Sequence, residues 1–170
     1  MALDLVRRSF VALATPATGL TLFVAAFAGA ASASAPQVAA SSEWTDDAKN
    51  LIEQLDRDIL MSVTAGADVA TARIVLHNDS DRVAMLIAAV DFGSCHQSVR
   101  SLGVPPKRLR HIANQLASAC TLLERASTLF TRATTHSDPR ALVVSARLSR
   151  KAGLLISAAT RELQATVRSP

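Results

Sequence analysis

The 170-residue chain has no tyrosine and one tryptophan, Trp44. Modules that stack or read nucleic-acid bases depend on aromatic side chains, so no sequence-specific nucleic-acid partner is expected. Glycine is also scarce, with six in the chain, and none gathers into a phosphate-cradling loop. G-x-S-x-G, P-loop and dinucleotide fingerprints are all missing. His77, His96, His111 and His136 are scattered and fit no metal spacing such as H-E-x-x-H, so neither a metal nor a cofactor is expected. Lysine is rare too: fifteen of the eighteen basic residues are Arg. Together with abundant Ala, that bias suits a GC-rich bacterial genome.

A further absence is more informative. No charged residue occurs between Ser9 and Ser42, and the most apolar part of that stretch is Leu20–Ala28. Arg7 and Arg8 precede it, and small residues follow, with Ala31 and Ala33 at the two recognition positions of an Ala-x-Ala site. A positive n-region, an apolar h-region and such a site make a secretory signal, here expected over residues 1–33 and cleaved after Ala33. Cutting after Ala35 would place the ring-locked Pro36 directly past the scissile bond. The run Arg7-Arg8-Ser9-Phe10-Val11 resembles a twin-arginine signal, in which Phe10 would be the aromatic position. Val6 stands where that motif carries Ser or Thr, and no Lys follows, so ordinary secretion is the favoured route and twin-arginine export the alternative. Retention of the segment as a membrane anchor is a third reading, weakened by Pro16 and Gly19. On any of these routes the protein is exported, either secreted or held at the cell envelope.

The rest is expected to be all-α: an antiparallel up-down bundle of four to five helices forming one domain over 43–168, after a flexible tether at 34–42. Trp44, Ala48, Leu51, Ile52, Leu55 and Ile59 recur at three- and four-residue steps, and Gly66 ends that helix. Residues 67–78 read as helix, although Ile74-Val75-Leu76 fits a short buried strand equally well. Ser80 is the expected cap of the next helix, whose stripe is Met85, Ala88, Phe92, Cys95, Val99 and Leu102, with Gly103 as the stop. Pro105 and Pro106 open a helix with an unbroken apolar alternation from Leu109 to Ala133. Asp138-Pro139 starts the last helix, with Val144, Leu148, Ala152, Leu155, Ala159 and Leu163 expected inward. Cys95 and Cys120 are the two cysteines, and in an exported protein they are read as one disulfide.

Charge is lopsided. Residues 36–91 carry ten acids against four bases, a net of −6; residues 92–170 carry three acids against twelve bases, a net of +9. Either an acidic half packs against a basic half, or a basic face meets an anionic partner. Lys107, Arg108, Arg110 and His111 crowd a helix N-terminus, where cations oppose the dipole and an anion would relieve them, so they form a candidate anion site. Arg147, Arg150 and Lys151 make a second cluster.

These patterns favour a non-enzymatic exported bundle that binds a protein or an envelope component, with no catalytic residue assigned. An anionic polymer or lipid headgroup held by an Arg-rich face is the alternative. A third reading is an enzyme: the basic bundle is similar in size and architecture to exported all-helical chorismate mutases, which hold an anionic substrate between helices with Arg and Lys. No residue of that family is carried onto this sequence.

Overall fold

The computed structural model describes residues 35–168. Arg7, Arg8, Phe10, Ala31 and Ala33, with the expected cleavage point, lie outside them. Five α-helices occur among the described residues, and no strand: α1 (Ala35–Ala65), α2 (Val69–His77), α3 (Asp79–Ser101), α4 (Arg110–His136) and α5 (Pro139–Arg168). Within the stretch 67–78, Val69–His77 is therefore helix and not strand. The stretch read as a tether is helical from Ala35 onward, because Pro36 falls in the first turn of α1, where a missing N–H costs nothing.

Local chemistry sets the breaks. α1 stops at Gly66, where a Cβ would come within 2.5 Å of the Ala146 Cβ and 2.7 Å of the Leu142 carbonyl oxygen. Only a residue without a side chain lets the chain touch α5 there. α2 then leaves at 108° to α1, capped by Asp68, whose carboxylate accepts from the Thr71 amide at 2.9 Å. The cap of α3 is Asn78 rather than the expected Ser80: its Oδ1 accepts from the amides of Ser80 and Asp81. An amide oxygen two residues upstream reaches both donors, and Ser80 is already inside the helix. Gly103, at φ 77°, supplies the left-handed residue that ends α3, and Ser137 at φ 51° does the same for α4. Asp138 caps α5 as expected, accepting from Arg140 and Ala141.

The long helices pack as a bundle in which α1 meets α5 and α3, α3 meets α4, and α4 meets α5, with α2 laid across α5 and α3. Ser62 of α1 donates to Ser149 of α5 at 2.9 Å, and the Ile59 Cγ2 lies against Gly153, so these two helices run antiparallel. The core is Leu, Ile, Ala and Phe, including Phe92 of α3 and Phe130 of α4 with ring centroids 5.9 Å apart. One expected stripe is met in part, with Ala152, Ala159 and Leu163 buried as expected. Val144 of α5 is exposed and Leu148 and Leu155 are half-buried, whereas Leu142, Ser145, Ser149 and Ile156 are buried. Seam serines are tolerable because each hydroxyl is satisfied, Ser145 by the Ala126 carbonyl at 2.9 Å and Ser149 by Ser62.

Candidate functional site

Cys95 and Cys120 are buried on α3 and α4 with Sγ atoms 2.04 Å apart and Cα atoms 5.2 Å apart. Counting outward from the turn leaves them out of step. The connection between Ser101 and Arg110 contains the 3-10 turn Lys107–Leu109 and absorbs the offset. This pair fastens α3 to α4 and is chemically inert while bonded.

The other titratable groups sort by helix face. His96 of α3 lies 3.3 Å from the Thr121 hydroxyl and 3.8 Å from a Glu124 oxygen on α4. His111 meets Glu162 of α5 at 2.6 Å, and Gln115 donates to the other Glu162 oxygen at 3.1 Å. Sequence spacing could not have shown either histidine's partner, because each partner lies on a different helix. Lys107, Arg108, Arg110 and His111 are all exposed around the start of α4, which has no side-chain cap. His111 is committed to Glu162.

Asp58 of α1 and Asp91 of α3 touch across a helix seam. Burial first, and then the neighbouring Asp91 carboxylate and its hydrogen bond, push Asp58 up to about 6, with Arg57 opposing. No group of three or more His, Cys, Asp or Glu that could hold a metal occurs among the described residues.

The most distinctive arrangement is on α5. Arg140, Arg147, Arg150, Lys151 and Arg161 are all exposed. At 3.6 residues per turn they fall within an arc of roughly 100° on one face. Glu162 is the one acid of this helix, and it is already held by His111 and Gln115. Among the described residues no acidic oxygen lies within 4 Å of any of the five bases. Lys49–Asp46 and Arg82–Asp79 pair inside the acidic half, and Arg132–Asp138 inside the basic half. Each of these three pairs lies within one half.

The interior is mainly apolar. Buried polar side chains among the described residues are the hydroxyls of Thr45, Ser62, Thr134, Ser145 and Ser149, and no Arg or Lys is buried. A cleft of about 350 Å³ between α1, α2 and α3 is lined mainly by Met61, Ala65, Val75, Ala84 and Met85. The hydroxyls beside it turn back onto their own helices, Thr64 to the Leu60 carbonyl and Thr71 to Asp68. The Asp81 carboxylate also lines this cleft. No single helix among the described residues is long and apolar enough to cross a membrane. No family model, no curated protein and no solved structure matches this chain.

Proposed function

We propose that this is an exported, non-enzymatic helical protein that binds an anionic component of the cell envelope, either a polymer or a protein surface, through the Arg-rich face of α5. The signal-like segment over 1–33 supports export, with removal after Ala33. The observation that carries the binding role is the row Arg140, Arg147, Arg150, Lys151 and Arg161, exposed on one face with no acidic partner within 4 Å among the described residues. Five like charges on one face repel one another in the free protein, and an anionic partner turns that repulsion into attraction. Arg suits this task because its planar fork grips phosphate or carboxylate oxygens in pairs. Long, flexible side chains on an exposed helix fit a repeating polyanion better than a single enclosed substrate. The cluster at Lys107, Arg108 and Arg110 extends the basic character to the far end of the molecule, without His111.

The test is binding of the exported protein to a polyanion such as polyphosphate, followed across salt concentrations. Affinity should fall steeply as salt rises. Replacing Arg147, Arg150 and Lys151 together by Gln should weaken binding at least tenfold at low salt with helicity unchanged. Replacing Lys107, Arg108 and Arg110 by Gln should weaken it less. Equal binding by the α5 variant and its parent would sink the proposal.

A further inference from the structure

Trp44 of α1 is the only tryptophan in the chain. It is 4% exposed, yet its Nε1–H has no acceptor, so a good donor is shut away from water unpaired. A buried donor without a partner is disfavoured, and a ligand that brings an acceptor removes the penalty. The same residue lines a recess of about 290 Å³ where α1 meets the end of α3. Glu43 and Asp47 line it too, one helical turn apart on the same face of α1. Ser101, Leu102 and Val104, from the end of α3 and the connection that follows, complete the wall.

The helix dipole does not account for these two carboxylates. α1 begins at Ala35, so both lie beyond its first turn, where the dipole no longer favours negative charge. Asp46 is engaged with Lys49 at 3.2 Å. Among the described residues no basic group comes within 4 Å of Glu43 or Asp47. Arg100 and Lys107, the bases nearest in sequence to the α3 side of the recess, are exposed and pair with neither.

We infer that this recess takes an arginine or lysine residue from a basic segment of a protein partner. Its charged head meets the Glu43 and Asp47 carboxylates, its methylene stem lies along Leu102 and Val104, and its main-chain carbonyl accepts from the Trp44 indole. Val104, 88% exposed, gains cover in this arrangement. At about 290 Å³ the recess is smaller than the roughly 300–1,000 Å³ of sites for drug-sized ligands, which suits one side chain with its backbone. A bare polyamine fits less well, because it carries charge but no acceptor for the indole. The site is opposite in sign to the α5 row and does not depend on it.

Because Trp44 is the only tryptophan, its fluorescence reports on this recess directly. Titrating the exported protein with acetyl-Ala-Arg-Ala-amide should change Trp44 emission saturably, with affinity falling as salt rises. The same peptide with citrulline in place of arginine keeps the shape and loses the charge, and it should bind at least tenfold more weakly. Glu43→Gln with Asp47→Asn should weaken the arginine peptide at least tenfold, with circular dichroism unchanged and polyphosphate binding undiminished. Replacing Arg147, Arg150 and Lys151 by Gln should leave the peptide affinity as it was, so the two sites succeed or fail separately. No saturable change in emission, equal binding of the citrulline peptide, or full affinity in the double variant would overturn the inference. Spermidine that binds as tightly as the arginine peptide, with the same change in emission, would assign the recess to polyamines and overturn it equally.

Discussion

The α4–α5 seam and the α1–α3 seam are built on opposite terms. Between α4 and α5 the buried residues include Ala119, Ala126 and Ala133 on one helix and Ala152 and Ala159 on the other, and Ser145 donates across to the Ala126 carbonyl. Small side chains let backbones approach until dispersion contacts are dense. Between α1 and α3 the contact is sparser, and Asp58 faces Asp91 with its carboxyl pushed up to about 6. One seam gains from each contact, while the other tolerates a like-charged pair at neutral pH. The first half of the molecule is thus the conditional one, and the disulfide and the aromatic pair tie its α3 to the firmer half.

That contrast can be broken at its strongest link. Replacing Cys95 and Cys120 together by Ala opens a crosslink with a sequence separation of 25. Unfolding free energy should fall by about 3 kcal/mol on the chain-entropy account, read from a denaturant titration. In hydrogen exchange, α3 amides should lose more protection than α5 amides. Equal loss in both would show that the two halves open as one unit and that the contrast has no dynamic consequence.

A smaller effect is expected from overfilling the tight seam. Ala126→Leu inserts three carbons where Ser145 already contacts the backbone, and it should cost about 2 kcal/mol. Ala84→Leu, at a half-buried position beside the Met61–Met85 cleft, should cost much less. The pair of thermal melts compares the seams directly; matching losses would mean that the α1–α3 side is packed as densely as the other.

The smallest effect concerns pH. Because the Asp58 carboxyl lies above its ordinary value of 3.8, at about 6, its contribution to stability is fully present below 3.8 and is lost as pH climbs through 6. The group is partly solvated, so water reduces the swing to about 1 kcal/mol. Asp58→Asn should be more stable than the parent by that amount at pH 7 and should flatten the stability profile between pH 4 and 7. An unchanged profile would show that the Asp58–Asp91 contact is dissipated by solvent.

Much of the molecule was legible in the chain before any coordinates. The three- and four-residue apolar steps marked the helical positions of Ile52, Phe92 and Leu123, and Gly66, Gly103 and Asp138-Pro139 marked the breaks. All of these are local signals, carried by propensity, periodicity and caps. The failures have a common cause. Val144 looks like a core residue and Ser145 and Ser149 look like surface, because hydropathy assigns a serine to water unless its partner is known. The partners are the Ala126 carbonyl and Ser62, both on other helices. The basic cluster at Lys107–His111 was visible as a run, and Arg147, Arg150 and Lys151 as a second, but their alignment with Arg140 and Arg161 was not read, since the five are spread over 22 positions and join only when the helix turns them onto one side.

By itself the sequence determined the class of fold, most helix boundaries apart from the start of α1, the two cysteines available for pairing and the imbalance of charge between the halves. Each of these depends on neighbours within a turn or two, or on composition. Only the tertiary structure decided that the acidic and basic halves do not neutralise each other through the ion pairs described, that Asp58 meets Asp91, and that the Trp44 indole is buried without an acceptor at a recess shared with Glu43 and Asp47. Those outcomes depend on which faces the packed helices present to one another. That choice is made by the close approach of small residues at a seam and by the register the core imposes, and neither is written at any single position in the chain.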